Sequence, residues 1–198
     1  MAKSTRKRSV IIISLILLAI VIDQVIKIAV KTNMQLGEYF PVFGDWFKIL
    51  FVENDGMAFG MEIFNKIFLT SFRIVAVAFL GYVLSKLLKN GKYPLGFVLC
   101  VAMILAGAVG NIIDCLFYGE LFTSSYGEVA EFVSWGTGYS TFMQGRVVDM
   151  FYFPLFTWPE QLPLIGGDIF FSPVFNFADA CISCSVIAML VFYRKYIL

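Results

Sequence analysis

The chain contains no histidine among its 198 residues. A Ser-His-Asp or Cys-His hydrolase uses an imidazole as its general base, so the absence of histidine excludes both classes. The zinc-protease signature His-Glu-x-x-His is excluded for the same reason. Any hydrolysis by this chain must therefore depend on carboxylates, lysine or cysteine.

Cysteine is scarce, and all four cysteines lie in or at the ends of apolar stretches. This placement argues against a disulfide framework in an exported domain. Cys181 and Cys184 have the Cys-x-x-Cys spacing of thiol–disulfide enzymes, so a four-helix membrane thiol oxidoreductase is one alternative function. Cys184 would lie more than a turn inside a helix, away from an activating helix end. We therefore favour packing in a membrane helix for this pair.

Acidic residues are absent from the three basic clusters of the chain. Each cluster is short and flanks an apolar run, which is not the footprint of a nucleic-acid-binding protein. The clusters are Lys3, Arg6, Lys7 and Arg8; Lys86, Lys89 and Lys92; and Arg194 and Lys195.

Apolar residues make up 60% of the chain, which includes 22 phenylalanines. Soluble domains are about half apolar, so the composition predicts a membrane protein with a single integral domain, 1–198. A spanning helix needs roughly 20 mostly apolar residues. Four segments are predicted to span the membrane, the first of them a retained anchor because it has no small-x-small cleavage site. They are about 9–30, 67–88, 95–117 and 177–193.

The basic clusters predict the orientation of these segments. Because cytoplasmic loops carry an excess of Lys and Arg, both termini are expected to be cytoplasmic. The loops at about 31–66 and 118–176 then face outward. Aromatic and β-branched residues in Tyr39–Val52 predict strands that lie on the bilayer surface. The expected fold is a four-helix transmembrane bundle with extramembrane strands on its outer face.

Three carboxylates, those of Asp23, Asp114 and Asp179, lie within the apolar segments and near the same predicted face. A carboxylate at membrane depth is a candidate functional group. A fourth, Asp149, lies in an apolar patch of the second outer loop. Two carboxylates held close together share a proton, so one can activate water while the other protonates a carbonyl oxygen. Asp149 and Asp179 are the best candidates for such a pair.

Other roles for these carboxylates stay open at this level. From composition alone, a structural or ion-coupling role is about as plausible as catalysis. An ion-coupled transporter would use Asp23, Asp114 and Asp179 as a proton path. Such a path also needs polar groups in the inner half of the membrane, where this chain has almost none.

Several other polar residues accompany the carboxylates. Lys27 follows Asp23 by four residues, a spacing that predicts an ion pair on one helix face, and periodicity alone favours a structural role for this pair slightly. Asn54-Asp55-Gly56 predicts either a simple helix-entry turn or a turn whose backbone N–H groups position a substrate. Asn111 and Asp114 share a helix face and can jointly orient a partner carboxylate.

Five sequence blocks together resemble the lipoprotein signal peptidases, the bacterial type II signal peptidases. They occur in the order found in that family, each at the predicted outer side, and they cover most of the chain. The blocks are Asp23-Gln24-Val25-Ile26-Lys27, Asn54-Asp55-Gly56-Met57-Ala58-Phe59, Ala106-Gly107-Ala108-Val109-Gly110-Asn111-Ile112-Ile113-Asp114, Val147-Val148-Asp149-Met150 and Phe175-Asn176-Phe177-Ala178-Asp179.

The resemblance implies an aspartic endopeptidase of the bacterial inner membrane, with its site facing the periplasmic side. It would cleave prolipoproteins on the amino side of a diacylglyceryl-modified cysteine, without a metal or organic cofactor. Its fold would be a four-helix bundle with a β-cradle. Its partners would be prolipoprotein substrates and membrane lipids, not nucleic acid, and we expect a monomer. The implied catalytic pair is Asp149 and Asp179. The implied supporting residues are Asp23, Lys27, Asn54, Gly56, Asn111, Asp114 and Asn176.

Two features depart from the family pattern. The residue after Asp114 is typically arginine in that family, but here it is Cys115. Arg146, the only cation in its loop and three residues before Asp149, is our candidate for the missing guanidinium. The stretch between Asp114 and Asp149 is also expanded, and the extra segment, roughly 120–144, is predicted to form a flap or to contact a partner.

Overall fold

The computed structural model describes residues 2–55, 66–164 and 166–197, with side chains from Arg6 onward. Its strands fall into two groups, one between the first and second helices and one before the last helix, and a π-helical turn at Asp114–Tyr118 joins the third helix to the fourth. The helices are α1 (Ala2–Lys31), α2 (Lys66–Asn90), α3 (Leu95–Ile113), α4 (Gly119–Leu121) and α5 (Phe177–Phe192). The strands are β1 (Tyr39–Phe43), β2 (Phe47–Asn54), β3 (Val147–Tyr152), β4 (Phe156–Thr157), β5 (Ile169–Phe170) and β6 (Val174–Phe175).

Three helical segments in the described ranges are long and apolar enough to cross a membrane: Arg6–Lys31, Lys66–Asn90 and Leu95–Leu121. They contain the first three spans predicted from the sequence. The fourth predicted span corresponds to α5, which is apolar but has 16 residues. That is shorter than the roughly 20 residues of a full crossing. The prediction of a multi-pass helical membrane protein with a small sheet is confirmed.

Helix α3 is central, because it packs against α1, α2 and α5. The close approach of α1 requires a glycine at position 110. A Cβ atom on Gly110 would lie 2.6 Å from Oδ2 of Asp23 and 3.3 Å from Cβ of Ala178. Small residues allow such close approach of helices in lipid. The glycine therefore makes room for a buried carboxylate between the helices.

Two clusters of buried apolar residues hold the protein together. One joins the first half of α1 to the second half of α2 and the first half of α3, and consists of Ile12, Leu84, Leu87, Phe97, Val98, Val101 and Ala102. The other joins the end of α1 to the sheet and to the turn after α3, and consists of Met34, Phe51, Tyr118, Phe122, Val148 and Met150. The second cluster fixes β3 against the helices.

The larger sheet has four antiparallel strands in the order β1-β2-β3-β6. Strands β4 and β5 form a separate pair. The prediction of strands within Tyr39–Val52 is confirmed by β1 and β2. In the β2–β3 register Val52 lies opposite Asp149 and Asn54 opposite Val147, so the end of β2 runs beside Asp149. All strands lie in the connections at one end of the long helices.

The expanded segment 120–144 is packed against α1 and β2. The buried ammonium of Lys31 forms an ion pair with Glu53 and donates a hydrogen bond to Oγ of Ser125 at 2.9 Å. The Ser125 hydroxyl in turn donates to Oε1 of Glu53 at 2.9 Å. All three side chains are almost completely buried. A buried ion pair is strongly destabilised when one partner is removed, so these contacts fix the start of the segment in place.

We predict that Gly110→Ala destabilises the protein, because the added methyl group would overlap the Asp23 carboxylate. Overpacking of this kind typically costs about 1–3 kcal/mol of unfolding free energy. The matched control is Gly81→Ala in α2, where an added Cβ meets no atom within 4 Å. Thermal unfolding in detergent measures both. Equal midpoints for the two variants would contradict the proposed close contact between α1 and α3.

Candidate active site

Strand β3 places Asp149 beneath the sheet with only 3% of its surface exposed. Two asparagine side chains donate to its carboxylate. Nδ2 of Asn176 donates to Oδ1 at 2.7 Å, and Nδ2 of Asn54 donates to Oδ2 at 3.3 Å. Each oxygen of this buried carboxylate therefore has a neutral amide donor.

The start of α5 fixes Asp179. Asn176 is the N-cap residue, and its side-chain Oδ1 accepts from the backbone N–H of Asp179 at 2.9 Å. Oδ2 of Asp179 accepts from the backbone N–H of Asn176 at 3.4 Å, which completes a reciprocal capping box. Asparagine is a favoured N-cap residue because its side chain satisfies an otherwise unpaired helix N–H. Oδ1 of Asp179 also accepts from Nδ2 of Asn111 in α3 at 2.8 Å.

Asp149 and Asp179 line the same cavity, whose volume is about 240 Å³. Asn54 and Asn111 line it as well. Among the hydrogen bonds of these two described aspartates, none joins the carboxylates directly; the side chain of Asn176 contacts both residues instead. The two acids therefore face a common space large enough for water and part of a peptide.

The protonation of Asp149 reflects this environment. Burial raises the pKa of Asp149 from its ordinary value of 3.8 to about 7, and the negative charge of Asp179 acts in the same direction. Hydrogen bonds from Asn54 and Asn176 lower the pKa but do not offset the burial. A carboxyl group with a pKa near neutrality can hold a proton or release it during a reaction.

A buried ammonium group lies next to the cavity residues. Nζ of Lys27, with no exposed surface, lies 3.0 Å from Oδ2 of Asp23 and 2.9 Å from Oδ2 of Asp114. It also donates to Oδ1 of Asn111 at 2.8 Å. The ion pair expected between Asp23 and Lys27 is present, and a second acid from α3 joins it. Two carboxylates compensate the buried cation, as a charge inside a protein requires.

Asp23 and Asp114 also hold the segments that carry the two cavity carboxylates. Oδ1 of Asp23 accepts from the backbone N–H of Ala178 at 2.9 Å, one residue before Asp179. Oδ2 of Asp114 accepts from the backbone N–H of Val148 at 3.2 Å, one residue before Asp149. These acids thus position the backbone on either side of the cavity.

The structure divides the residues predicted from the sequence into groups. The cavity group contains Asp149, Asp179, Asn54, Asn111 and Asn176. The buried ion-pair group contains Asp23, Lys27 and Asp114. Gly56 lies outside the described residues.

Arg146 has different partners from those expected. Its Nη1 lies 3.2 Å from Oε2 of Glu53, and its Nε lies 3.5 Å from Oδ1 of Asp55. Its guanidinium also lies over the rings of Tyr126 and Tyr139. These contacts hold Arg146 at the end of β2 and lend no support to the prediction that Arg146 replaces a guanidinium beside Cys115.

Sequence reasoning did not select two further residues. Gln24 donates to Oδ1 of Asp114 at 2.9 Å and to the carbonyl oxygen of Gly110 at 3.1 Å. Arg73 donates from Nη1 to Sγ of Cys115 at 3.1 Å and lines the cavity. Gln24 is part of the first sequence block, and Arg73 is the one charged residue between Lys66 and Lys86 in the second predicted span. Both signals could have identified them.

Cysteine and metal chemistry find little support in the described ranges. Cys181 and Cys184 are free thiols, and Cys184 is exposed on the surface of α5. No group of three or more Cys, Asp or Glu side chains in the part of the chain described here has the arrangement of a metal site. The chemical resources of the cavity are its two carboxylates, its amides and one guanidinium.

The raised pKa of Asp149 predicts a pH dependence of stability. Between its ordinary pKa of 3.8 and about 7, the folded state binds more protons at this group than the unfolded chain does. The unfolding free energy should therefore fall as the pH rises through this range, by on the order of 4 kcal/mol at most. We expect the unfolding free energy of Asp149→Asn not to show this decline with pH. Thermal unfolding in detergent at several pH values measures it.

The control for this experiment is Asp168→Asn, which removes an exposed carboxylate from the same connection between α4 and α5. It should keep the pH dependence of the unmodified protein. An Asp149→Asn variant with the same decline as the control would show that Asp149 ionises normally.

Comparisons with known proteins agree with the sequence blocks and the fold. A family model described as signal peptidase II matches residues 15–194. A lipoprotein signal peptidase of Porphyromonas gingivalis is 51% identical over 189 residues, which cover 93% of this chain and 83% of that protein. A protein of the same name from Amoebophilus asiaticus is 36% identical over 179 residues, covering 86% of this chain and 72% of that protein.

Two solved structures, each described as a bacterial membrane enzyme, share the fold at 23% identity. The first has a TM-score of 0.63 and covers 93% of this chain and 88% of its own. The second has a TM-score of 0.62 and covers 91% of this chain and 90% of its own. Because the family model matches most of the length of the chain, the chain belongs to the signal peptidase II family.

Proposed function

We propose that this protein is an aspartic endopeptidase that removes signal peptides from prolipoproteins, cleaving on the amino side of the diacylglyceryl-modified cysteine. Its family consists of signal peptidases, and the relatives at 51% and 36% identity are named lipoprotein signal peptidases. The observation that carries the catalytic assignment is the shared cavity of Asp149 and Asp179. One of its two carboxyl groups has a pKa near neutrality.

In the proposed reaction Asp149 carries a proton and Asp179 is ionised. Asp179 accepts a proton from water as the water oxygen attacks the scissile carbonyl carbon. Asp149 donates its proton to the carbonyl oxygen, giving a neutral tetrahedral intermediate. As the intermediate collapses, Asp179 donates its proton to the leaving amine, the C–N bond breaks, and a hydroxyl proton of the intermediate returns to Asp149.

The remaining polar residues would support this pair. Asn54, Asn111 and Asn176 hold the carboxylates through the hydrogen bonds described above. Asp23, Lys27 and Asp114 would fix the backbone beneath them. Gly56, two residues after Asn54 in the sequence, is proposed to contribute a backbone N–H group to substrate binding. The reaction needs no metal or organic cofactor, because carboxyl groups supply both the base and the acid.

A second, apolar cavity offers a place for the lipid of the substrate. Its volume is about 340 Å³, and Phe171, Pro173 and Phe175 contribute to its lining. Asp179 lines both this cavity and the polar one. We propose that acyl chains of the modified cysteine enter the apolar cavity from the membrane. The peptide bond next to that cysteine would then reach the carboxylates.

The proposed topology has α5 as the fourth helix of a transmembrane bundle and both termini on the cytoplasmic side. The three basic clusters support this orientation. The sheet would then lie on the outer surface of a bacterial inner membrane, within a single domain of residues 1–198. All five residues of β1 are exposed, and the aromatic ones among them suit the membrane interface. We further propose that the enzyme is monomeric.

Neither alternative function is supported. The chain belongs to a peptidase family, which does not predict thiol–disulfide exchange. Cys184 is a free thiol that is exposed on α5. An ion-coupled transporter would need its acids spread along a path. Asp23 and Asp114 instead share one cation with each other, close to the sheet end of the helices.

Asp149→Asn and Asp179→Asn should each reduce cleavage by about 100- to 10,000-fold, because each removes one proton-transfer group. The measurement is cleavage of a purified diacylated prolipoprotein in detergent. The same prolipoprotein without its lipid is the second substrate. We expect the unmodified enzyme to cut only the diacylated form.

Asp168→Asn is the control, since it removes an exposed carboxylate outside the cavity and should cleave normally. Substantial turnover by either cavity variant, with its thermal midpoint unchanged, would remove the catalytic assignment. Equal cleavage of the lipidated and non-lipidated proteins would refute the proposed substrate class.

The double variant Cys181→Ser/Cys184→Ser should keep cleavage within about twofold of the unmodified enzyme, because serine is close in size to cysteine and the proposed reaction uses neither thiol. The same cleavage assay measures it. A loss as large as that of the Asp149→Asn variant would revive a thiol-dependent reaction.

A further inference from the structure

Arg73 is the one charged residue of α2 between Lys66 and Lys86. With a rise of about 1.5 Å per residue, it lies about 10 Å along the helix from Lys66, inside a segment long and apolar enough to cross a membrane. A charged side chain at membrane depth is costly and marks a candidate functional site. The reaction proposed above gives Arg73 no role.

Two observations connect Arg73 to the cavity. Arg73 lines the cavity together with Asp149 and Asp179. Its Nη1 donates to Sγ of Cys115 at 3.1 Å, and Cys115 is only 1% exposed. A thiol is a weak acceptor, whereas a guanidinium has five N–H donors in a fixed fork. The contact with Cys115 therefore fixes the position of the guanidinium beside the cavity.

We propose that Arg73 binds the substrate by donating a hydrogen bond to a carbonyl oxygen next to the scissile bond. An extended peptide that enters a membrane cavity brings carbonyl groups that have lost their hydrogen bonds to water. A charged donor forms stronger bonds to such an acceptor than a neutral one. This inference rests on the proposed peptidase function and assigns a binding residue that the pair of carboxylates does not provide.

The contact between Arg73 and Cys115 also explains the departure of this chain from the family pattern. In the related family an arginine typically follows the aspartate that corresponds to Asp114, whereas here the smaller Cys115 occupies that place. The cysteine leaves space for a guanidinium that arrives from α2 instead. In this chain the cation of the cavity is thus supplied by another helix.

The central test compares Arg73→Gln with Arg8→Gln in the cleavage assay. Arg8 is a matched control because it lies near the start of α1, whereas the cavity lies near the end of that helix. Its guanidinium donates to the carbonyl oxygen of Tyr93 at 2.9 Å. Arg73→Gln should lower kcat/KM by about 10- to 100-fold, mainly by raising KM, whereas Arg8→Gln should leave both constants unchanged. Arg73→Lys should give an intermediate KM, because it keeps the charge and loses the fork of donors.

A relocated guanidinium provides the second arm. The variant Arg73→Ala/Cys115→Arg should recover cleavage to within about 10-fold of the unmodified enzyme, while Arg73→Ala alone should not. A purely structural role for Arg73 would not predict this recovery. Thermal midpoints of all variants in detergent separate loss of binding from loss of folding.

The carbonyl oxygen has two sources, the peptide itself and the acyl esters of the lipid. A substrate with ether-linked alkyl chains lacks the ester carbonyls and keeps the peptide carbonyls. If Arg73→Gln lowers kcat/KM by the same factor on both substrates, the ligand of Arg73 is the peptide carbonyl. If kcat/KM falls only on the ester-linked substrate, the ligand is the lipid ester, and the proposed contact next to the scissile bond is overturned.

Unchanged kcat and KM in Arg73→Gln would overturn the inference. So would an unchanged KM combined with a lowered thermal midpoint and no recovery in the relocated variant, since this pattern indicates a structural role. Failure of the unmodified enzyme to cleave any prolipoprotein would instead refute the proposed function itself. The two failures are therefore distinguishable.

Discussion

The buried ammonium group of Lys27 is the constraint on which the rest of the site depends. A lysine without exposed surface persists only where oxygen atoms replace the water it has lost. Here those oxygens come from Asp23 in α1 and from Asn111 and Asp114 in α3. Each of the three makes a further bond outward: to the backbone before Asp179, to Asp179 itself, or to the backbone of β3. One cation thereby determines where two separate connections meet the helices.

Much of this architecture follows from local sequence patterns. Apolar runs of sufficient length predict the first three helical spans, and the aromatic and β-branched residues of Tyr39–Val52 predict β1 and β2. The spacing of Asp23 and Lys27 predicts their pairing, because residues four apart share a helix face. Local patterns do not predict that Asp114 joins this pair, since that contact depends on how closely α1 and α3 approach at Gly110.

The two arginines show where proximity in sequence misleads. Arg146 precedes Asp149 by three residues, yet it lies just before β3, and its side chain reaches Glu53 and Asp55 instead. Arg73 is distant in sequence from both cavity carboxylates and nevertheless lines the cavity with them. A charge isolated within an apolar helix was the available signal, and it marks the residue without identifying its neighbours.

The reciprocal capping box at the start of α5 has an evolutionary consequence. The carboxylate of Asp179 helps to begin a helix and faces the cavity, while the side chain of Asn176 satisfies a helix N–H and contacts Asp149. Under the proposed reaction, the same few atoms therefore serve both correct folding and chemistry. A substitution at Asn176 or Asp179 that preserved the helix cap would impair the chemistry of the cavity, and the reverse also holds. Both positions are therefore expected to change little during evolution.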